Sequence, residues 1–207
     1  MKMKKMMFND RYGLTQAVIH GRKTVTRRVV KDAWWPIYKI EAEEIKGDII
    51  HVIANNGKLV IEHKCPYKIG EIVAVAQCYA DIHSELMIGD FGDDCYDSFK
   101  NAVVHDKAGW HNKMFVQADL MPHRIQITDL RIERLQDISD DYFKEGITLL
   151  VSADDGRIQW GYADEHLRYY MFDSPREAFA SLIDKVSGRG TWDRNPFVWR
   201  IEFELVK

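Results

Sequence analysis

The chain has 207 residues and a formal net charge of −3, with 46% apolar and 29% charged residues. A chain of that size buries a full hydrophobic core without disulfide staples, and that balance excludes a disordered or fibrous polypeptide. The longest apolar runs, such as Ile72 to Ala76, last only a few residues, far short of the ~20 that cross a bilayer.

In chain order, the basic opening Met1 to Phe8 lacks the apolar stretch of a secretory signal, so a cytoplasmic protein is expected. Tyr12 to His20 carries apolar residues at Leu14, Ala17 and Val18, the spacing of a short amphipathic helix, and Gly21 stands where a C-cap glycine stops it. Directly after this helix the charge becomes concentrated. Residues 1–31 hold nine basic residues and one acid, a local charge of +8 against −11 for the rest of the chain. A cationic element on an anionic body suits a polyanion-binding site, because the field that acts on a ligand is local. Lys2, Lys4 and Lys5 read as a solvated tail, and Arg22 to Arg28 as the functional part.

Further on, Ile49 to Ile53 and Lys58 to His63 flank Asn55-Asn56-Gly57, a hairpin signal, and Glu71 to Tyr79 reads as a strand. Residues 81–108, rich in aspartate and glycine, read as an acidic loop or insertion that lacks the ligand pattern of a calcium loop. From Met114 strands are expected again. His123 to Gln136 alternates through Ile125 and Ile127, then shifts to Leu130 and Ile132, a skip that marks a bulge.

Asp137 to Asp140 supplies N-cap chemistry for a short helix to Glu145, closed by Gly146. Residues 152–172 are rich in aromatics and read as a second insertion packing on the core. Pro175 to Val186 reads as a helix capped by Asp173 or Ser174, and Val198 to Val206 as the last strand. Many strands, few helices and no repeated βα unit give one α+β domain over residues 1–207, built around a barrel-like sheet. Cys65, Cys78 and Cys95 form no CxxC pair, and the histidines have no ligand spacing, so neither a metal nor another cofactor is expected.

Gly21-Arg22-Lys23-Thr24-Val25-Thr26-Arg27-Arg28 resembles the GxKTxTxR signature of the ASCH domain family, small PUA-like β-barrels associated with RNA. Cys65-Pro66-Tyr67 with Ile69 to Val73, Met121 to Ile125, Glu133 to Ser139, Glu145-Gly146, Arg176 to Phe179, Trp192, Asn195-Pro196 and Trp199 to Phe203 resemble phage-associated members in the same order. The resemblance spans most of the chain apart from the two insertions. It implies a PUA-like barrel that binds RNA or a modified nucleoside or nucleotide. The alternative it implies is a small metal-independent amidohydrolase acting on N4-acetylcytidine or a related acylated nucleoside, with Lys23, Thr26 and Glu145 as its catalytic trio.

A threonine hydroxyl is a poor nucleophile until a base takes its proton, and a lysine crowded by Arg22, Arg27 and Arg28 has a lowered pKa. In a straight strand residues 23 and 26 face opposite sides, so the trio requires a turn between them. Arg22, Arg27, Arg28, Lys113 and Arg124 are the candidates for nucleic-acid contacts, with Trp110 and Trp192 as stacking platforms. Arg28 is equally placed by the sequence to pair with Glu145 and shape the pocket.

Overall fold

The structure, a computed structural model, describes residues 3–30, 40–46, 49–54, 59–88, 108–139, 141–152 and 155–206, with the backbone alone at 40–46, 49–54, 59–64 and 87–88. Its main element is a five-stranded sheet in the order β1 (Lys5–Met6), β6 (Ile72–Val75), β7 (Arg124–Arg134), β11 (Phe197–Val206) and β2 (Val25–Val29). β1 runs parallel to β6, and the other neighbours are antiparallel. The spine is the long β7–β11 pair, which runs from Phe197 opposite Arg134 to Val206 opposite Arg124. Its register shifts between Glu202 and Phe203, opposite Asp129 and Ile127, and leaves Thr128 as the extra residue. The break in the apolar alternation at 128–129 is that bulge. Without it, Leu130 and Ile132 would face away from the side on which Ile125 and Ile127 are buried.

One face of the sheet carries the larger core, where Ile125, Ile127, Leu130, Ile201 and Phe203 meet Val73, Val75, Phe179 and Leu182. Each such fully buried side chain contributes roughly 1.5–3 kcal/mol relative to exposure. Phe179 and Leu182 come from helix α3 (Pro175–Ser187), which starts as its sequence dictates, with the Ser174 hydroxyl accepting the Glu177 amide at 3.2 Å and proline in the first turn. The other face, at β6, is covered by a smaller core of Ala74, Ala76, Tyr79, Ile82, Leu86 and Met121.

Several sequence expectations change. The strand expected over Glu71 to Tyr79 ends at Val75, and Tyr79–Ile88 is helix α2, where the reading gave the start of an acidic loop. Tyr79, Ile82 and Leu86 at spacings of three and four explain the helix: they are its buried stripe against the sheet. The remainder of that segment, 89–107, lies outside the described residues. After Met114 two one-turn 3-10 helices, Lys113–Phe115 and Ala118–Leu120, replace the expected strands. The helix expected before Gly146 is a single 3-10 turn, Phe143–Glu145.

The aromatic segment 152–172 belongs to an antiparallel sheet, β8 (Thr148–Val151), β9 (Ile158–Ala163) and β10 (Tyr169–Phe172). Tyr162 and its stacked neighbours Tyr170 and Phe172 pack on the larger core, as expected of that segment. A third sheet holds β3 (Ile40–Lys46), β4 (Ile49–Ala54) and β5 (Leu59–Lys64). The Asn55-Asn56-Gly57 turn itself lies outside the described residues. The molecule is thus a mixed α+β protein, and β1 and β2 are the two ends of its main sheet among the described pairings. No helix among the described residues is long and apolar enough to cross a membrane.

Candidate functional site

The basic segment emerges from a helix stop that fixes its direction. Helix α1 (Leu14–Ile19) ends with the Gly21 amide donating to Val18 O and the Arg22 amide to Ala17 O, with Gly21 at φ +69, a Schellman closure that glycine adopts without strain. The chain then reverses. The Lys23 amide also donates to Ala17 O, the Thr24 amide donates to Lys144 O, and β2 begins at Val25.

Lys23, which stands before the strand, is 2% exposed, and its ammonium donates to Glu145 Oε2 at 2.6 Å, Val25 O at 2.7 Å and Glu145 O at 3.0 Å. All three ammonium hydrogens have acceptors. Gly146 closes the Phe143–Glu145 turn at φ +98, where a side chain would be strained and its Cβ would crowd Leu14 Cδ2 at 3.0 Å. The Lys23 amine is held below its ordinary range, and burial is the largest cause, opposed by the Glu145 carboxylate. Crowding by Arg27 and Arg28 acts in the same direction but less, which corrects the expectation that the arginines are the main cause.

Along β2 the side chains divide by the period of two. Thr26 and Arg28 stand opposite Ile201 and Trp199 on β11, on the face that carries the larger core, whereas Arg27 stands opposite Arg200 on the other face. That other face is a charged ladder. Arg27 donates from Nη1 to Glu145 Oε1 at 2.8 Å and from Nε to Glu133 Oε1 at 2.7 Å, while Arg200 donates to Asp141 Oδ2 at 2.7 Å and to Glu202 Oε2 at 2.8 Å. The residue paired with Glu145 is therefore Arg27 and not Arg28. Arg27, with a side chain 1% exposed, is committed to carboxylates, so its expected phosphate contact is replaced by a role in holding Glu145.

Burial is the largest single influence and would push the Asp141 carboxyl up, but the Arg200 hydrogen bonds together with the charges of Arg200, Lys144 and Arg27 outweigh it and hold the group below the usual carboxylate range. A carboxyl with a depressed pKa in the fold stabilises fully above its unfolded value near 4 and loses that contribution as pH falls through the folded value. Acid titration of the urea midpoint is expected to fall less steeply below about pH 4 for Asp141→Asn than for the parent chain. Parallel curves for the two would remove Asp141 from the acid-sensitive groups.

On the core-side face, a cleft of about 690 Å³ opens between β2, the segment Met7–Asn9 and the end of α3. Lys23, Thr26 and Arg28 line it together with Phe8, Trp199 and Arg194, and no carboxylate is among its lining residues. Thr26 is 8% exposed, and its hydroxyl makes no side-chain hydrogen bond among the described residues. Arg28 donates from Nη2 to Met7 O at 2.7 Å, lies 6.0 Å from the Phe8 ring centroid, and keeps a buried Nε that has no acceptor among the described residues. Glu145 does not line the cleft but touches it through Lys23.

The remaining sequence candidates lie elsewhere. Arg22 is exposed just beyond α1 and is not among the lining residues. Lys113 is tied to Asp10 Oδ2 at 2.7 Å and also donates to Phe8 O, so it braces the Phe8–Asp10 segment rather than facing a ligand. Arg124 pairs with Val206, seven residues along β11 from the Trp199 position, about 23 Å at the rise of an extended strand. Trp192 packs edge-on against Phe179 under Arg176, and Trp110 packs against His83, so neither forms a platform in the cleft. The tryptophan at the cleft is Trp199, which the sequence offers only as part of the last strand. Arg194, on the short helix α4 (Thr191–Arg194), and Phe8 carry no sequence signal either, because their proximity to β2 is purely tertiary.

The fold and the site together define an α+β protein with a cationic, partly apolar cleft beside a buried ion-pair ladder. The chain matches no protein-family model, no curated protein and no solved structure.

Proposed function

We propose that the chain is an RNA- or nucleotide-binding protein of the PUA-like ASCH type, acting in the cytoplasm, with its main sheet as part of the barrel and the cleft beside β2 as its ligand site. The observation that carries this reading is the charge balance of the cleft: Lys23 and Arg27 are compensated by Glu145 and Glu133, whereas the hydrogen-bond acceptors of Arg28 and Arg194 among the described residues are neutral. Two guanidinium groups with no carboxylate in direct contact, beside the apolar Phe8 and Trp199, suit a ligand that is anionic at one end and aromatic at the other.

Titration of labelled single-stranded RNA at several salt concentrations tests the reading. Affinity is expected to fall with a log–log slope of about −0.7 for each neutralised phosphate. Arg28→Ala is expected to weaken binding and make the slope shallower, while Arg124→Ala leaves both unchanged. Absence of binding at low salt, or binding indifferent to Arg28, would defeat it.

A second reading, metal-independent hydrolysis of N4-acetylcytidine or a related acylated nucleoside, is favoured by one specific contact. The Lys23–Glu145 pair at 2.6 Å stands at the wall that also carries the unengaged Thr26 hydroxyl. A neutral Lys23 amine would accept the Thr26 proton and then hand it on to the departing amine, while Glu145, which does not line the cleft, positions Lys23 from behind.

A further inference from the structure

The two arginines without a direct carboxylate partner differ in what holds them, and the difference bears on the ligand. Arg28 is anchored by Met7 O on a β-strand, and its Nε is shielded from both water and protein acceptors. A buried charged donor without an acceptor is rare in a native protein, and Nε, closed to solvent, is not the atom that a ligand in the cleft reaches. Arg194 is exposed and donates to Arg189 O at 3.3 Å and Thr191 Oγ1 at 3.0 Å. Its helical turn is pinned by Asp184, whose carboxylate accepts the Gly190 and Trp192 amides at 2.8 Å each. Asp184 accepts these backbone amides and attracts the Arg194 guanidinium from a distance, without a direct ion pair among the described residues.

We propose that this cleft is a subsite for a phosphate monoester, held between Arg28 and Arg194, a statement that rests on the nucleotide-binding reading above and sharpens it. A phosphate monoester carries close to two negative charges at neutral pH and three acceptor oxygens, which matches two guanidinium groups, whereas an internal phosphodiester carries one. The apolar wall of Phe8, Leu14, Trp199 and Ile201 receives the base or sugar. The shared chemistry is a terminal phosphate, whether on a free nucleotide or on the end of an RNA strand.

Calorimetric titration of the full chain with uridine, uridine 5′-monophosphate and hexauridylate bearing either a 5′-phosphate or a 5′-hydroxyl tests the proposal. The monophosphate is expected to bind at least about tenfold more tightly than uridine. Arg28→Gln and the exposed Arg194→Gln are each expected to reduce that ratio to about threefold or less. A matching preference between the two hexamers assigns the phosphate to an RNA end, and equal hexamers assign it to a free nucleotide. Equal binding of uridine and its monophosphate, or a ratio unchanged in both variants, would overturn the phosphate subsite while hexamer binding upholds the parent reading. Failure of all four probes to bind overturns both.

Discussion

Glu145→Ala is expected to destabilise the fold by about 3–5 kcal/mol, the cost of leaving buried cations without their counter-charge. The carboxylate serves two of them at once, Lys23 through Oε2 and Arg27 through Oε1, and all three side chains are at most 4% exposed. Lys23 would keep only two carbonyl oxygens, while Arg27 would retain Glu133 and the more distant Asp141 at 3.5 Å. The loss is read as a drop in the urea midpoint with an unchanged slope. The double change Lys23→Met with Glu145→Leu is expected to recover part of it, since apolar residues of similar volume often replace a buried pair at no cost. A loss below about 1 kcal/mol for Glu145→Ala would mean that water reaches the pair.

Thr26→Ala is expected to abolish acetate release from N4-acetylcytidine if the hydrolytic reading holds, and to do so without unfolding the chain. The hydroxyl makes no side-chain hydrogen bond among the described residues, so its removal takes away a nucleophile and little packing. In that chemistry the Thr26 oxygen attacks the acetyl carbonyl, its proton passes to Lys23, the departing amine takes that proton from the Lys23 ammonium, and water then releases acetate from the acyl-threonine. Turnover is expected to rise with pH through a value below the ordinary lysine range near 10.4, because burial lowers the Lys23 pKa and only the neutral amine accepts a proton. Full turnover in Thr26→Ala, or no turnover from the well-folded parent chain, would leave the cleft with binding alone.

Local pattern was a good guide wherever neighbours in sequence are also neighbours in space. The α1 stop at Gly21, the Ser174 cap of α3, the bulge at 128–129 and the strand at 124–134 all follow from capping chemistry or alternation within a few residues. Residues 79–88 were misread because their acidic surroundings mask a short apolar stripe that becomes visible only once the sheet it covers is known. The aromatic run at 158–172 was legible as core packing but not as a sheet, since stacking of Tyr162 on Tyr170 requires knowledge of the strand partner.

By itself the sequence determined the α+β character of this protein and the concentration of cations at 22–28, because composition and short-range spacing encode these, whereas Lys23 and Thr26 are singled out only by the resemblance of residues 21–28 to a family signature. Only the tertiary structure decided which cations are free. Lys23 and Arg27 are neutralised by Glu145, more than a hundred residues away, and by Glu133 on β7, which lies beyond β11 from β2, while Arg28, one position along and on the opposite face of β2, meets no carboxylate among the described residues. The physical reason is that a strand's period of two sends adjacent arginines to opposite faces. What each then meets is set by long-range pairing, which no local pattern contains.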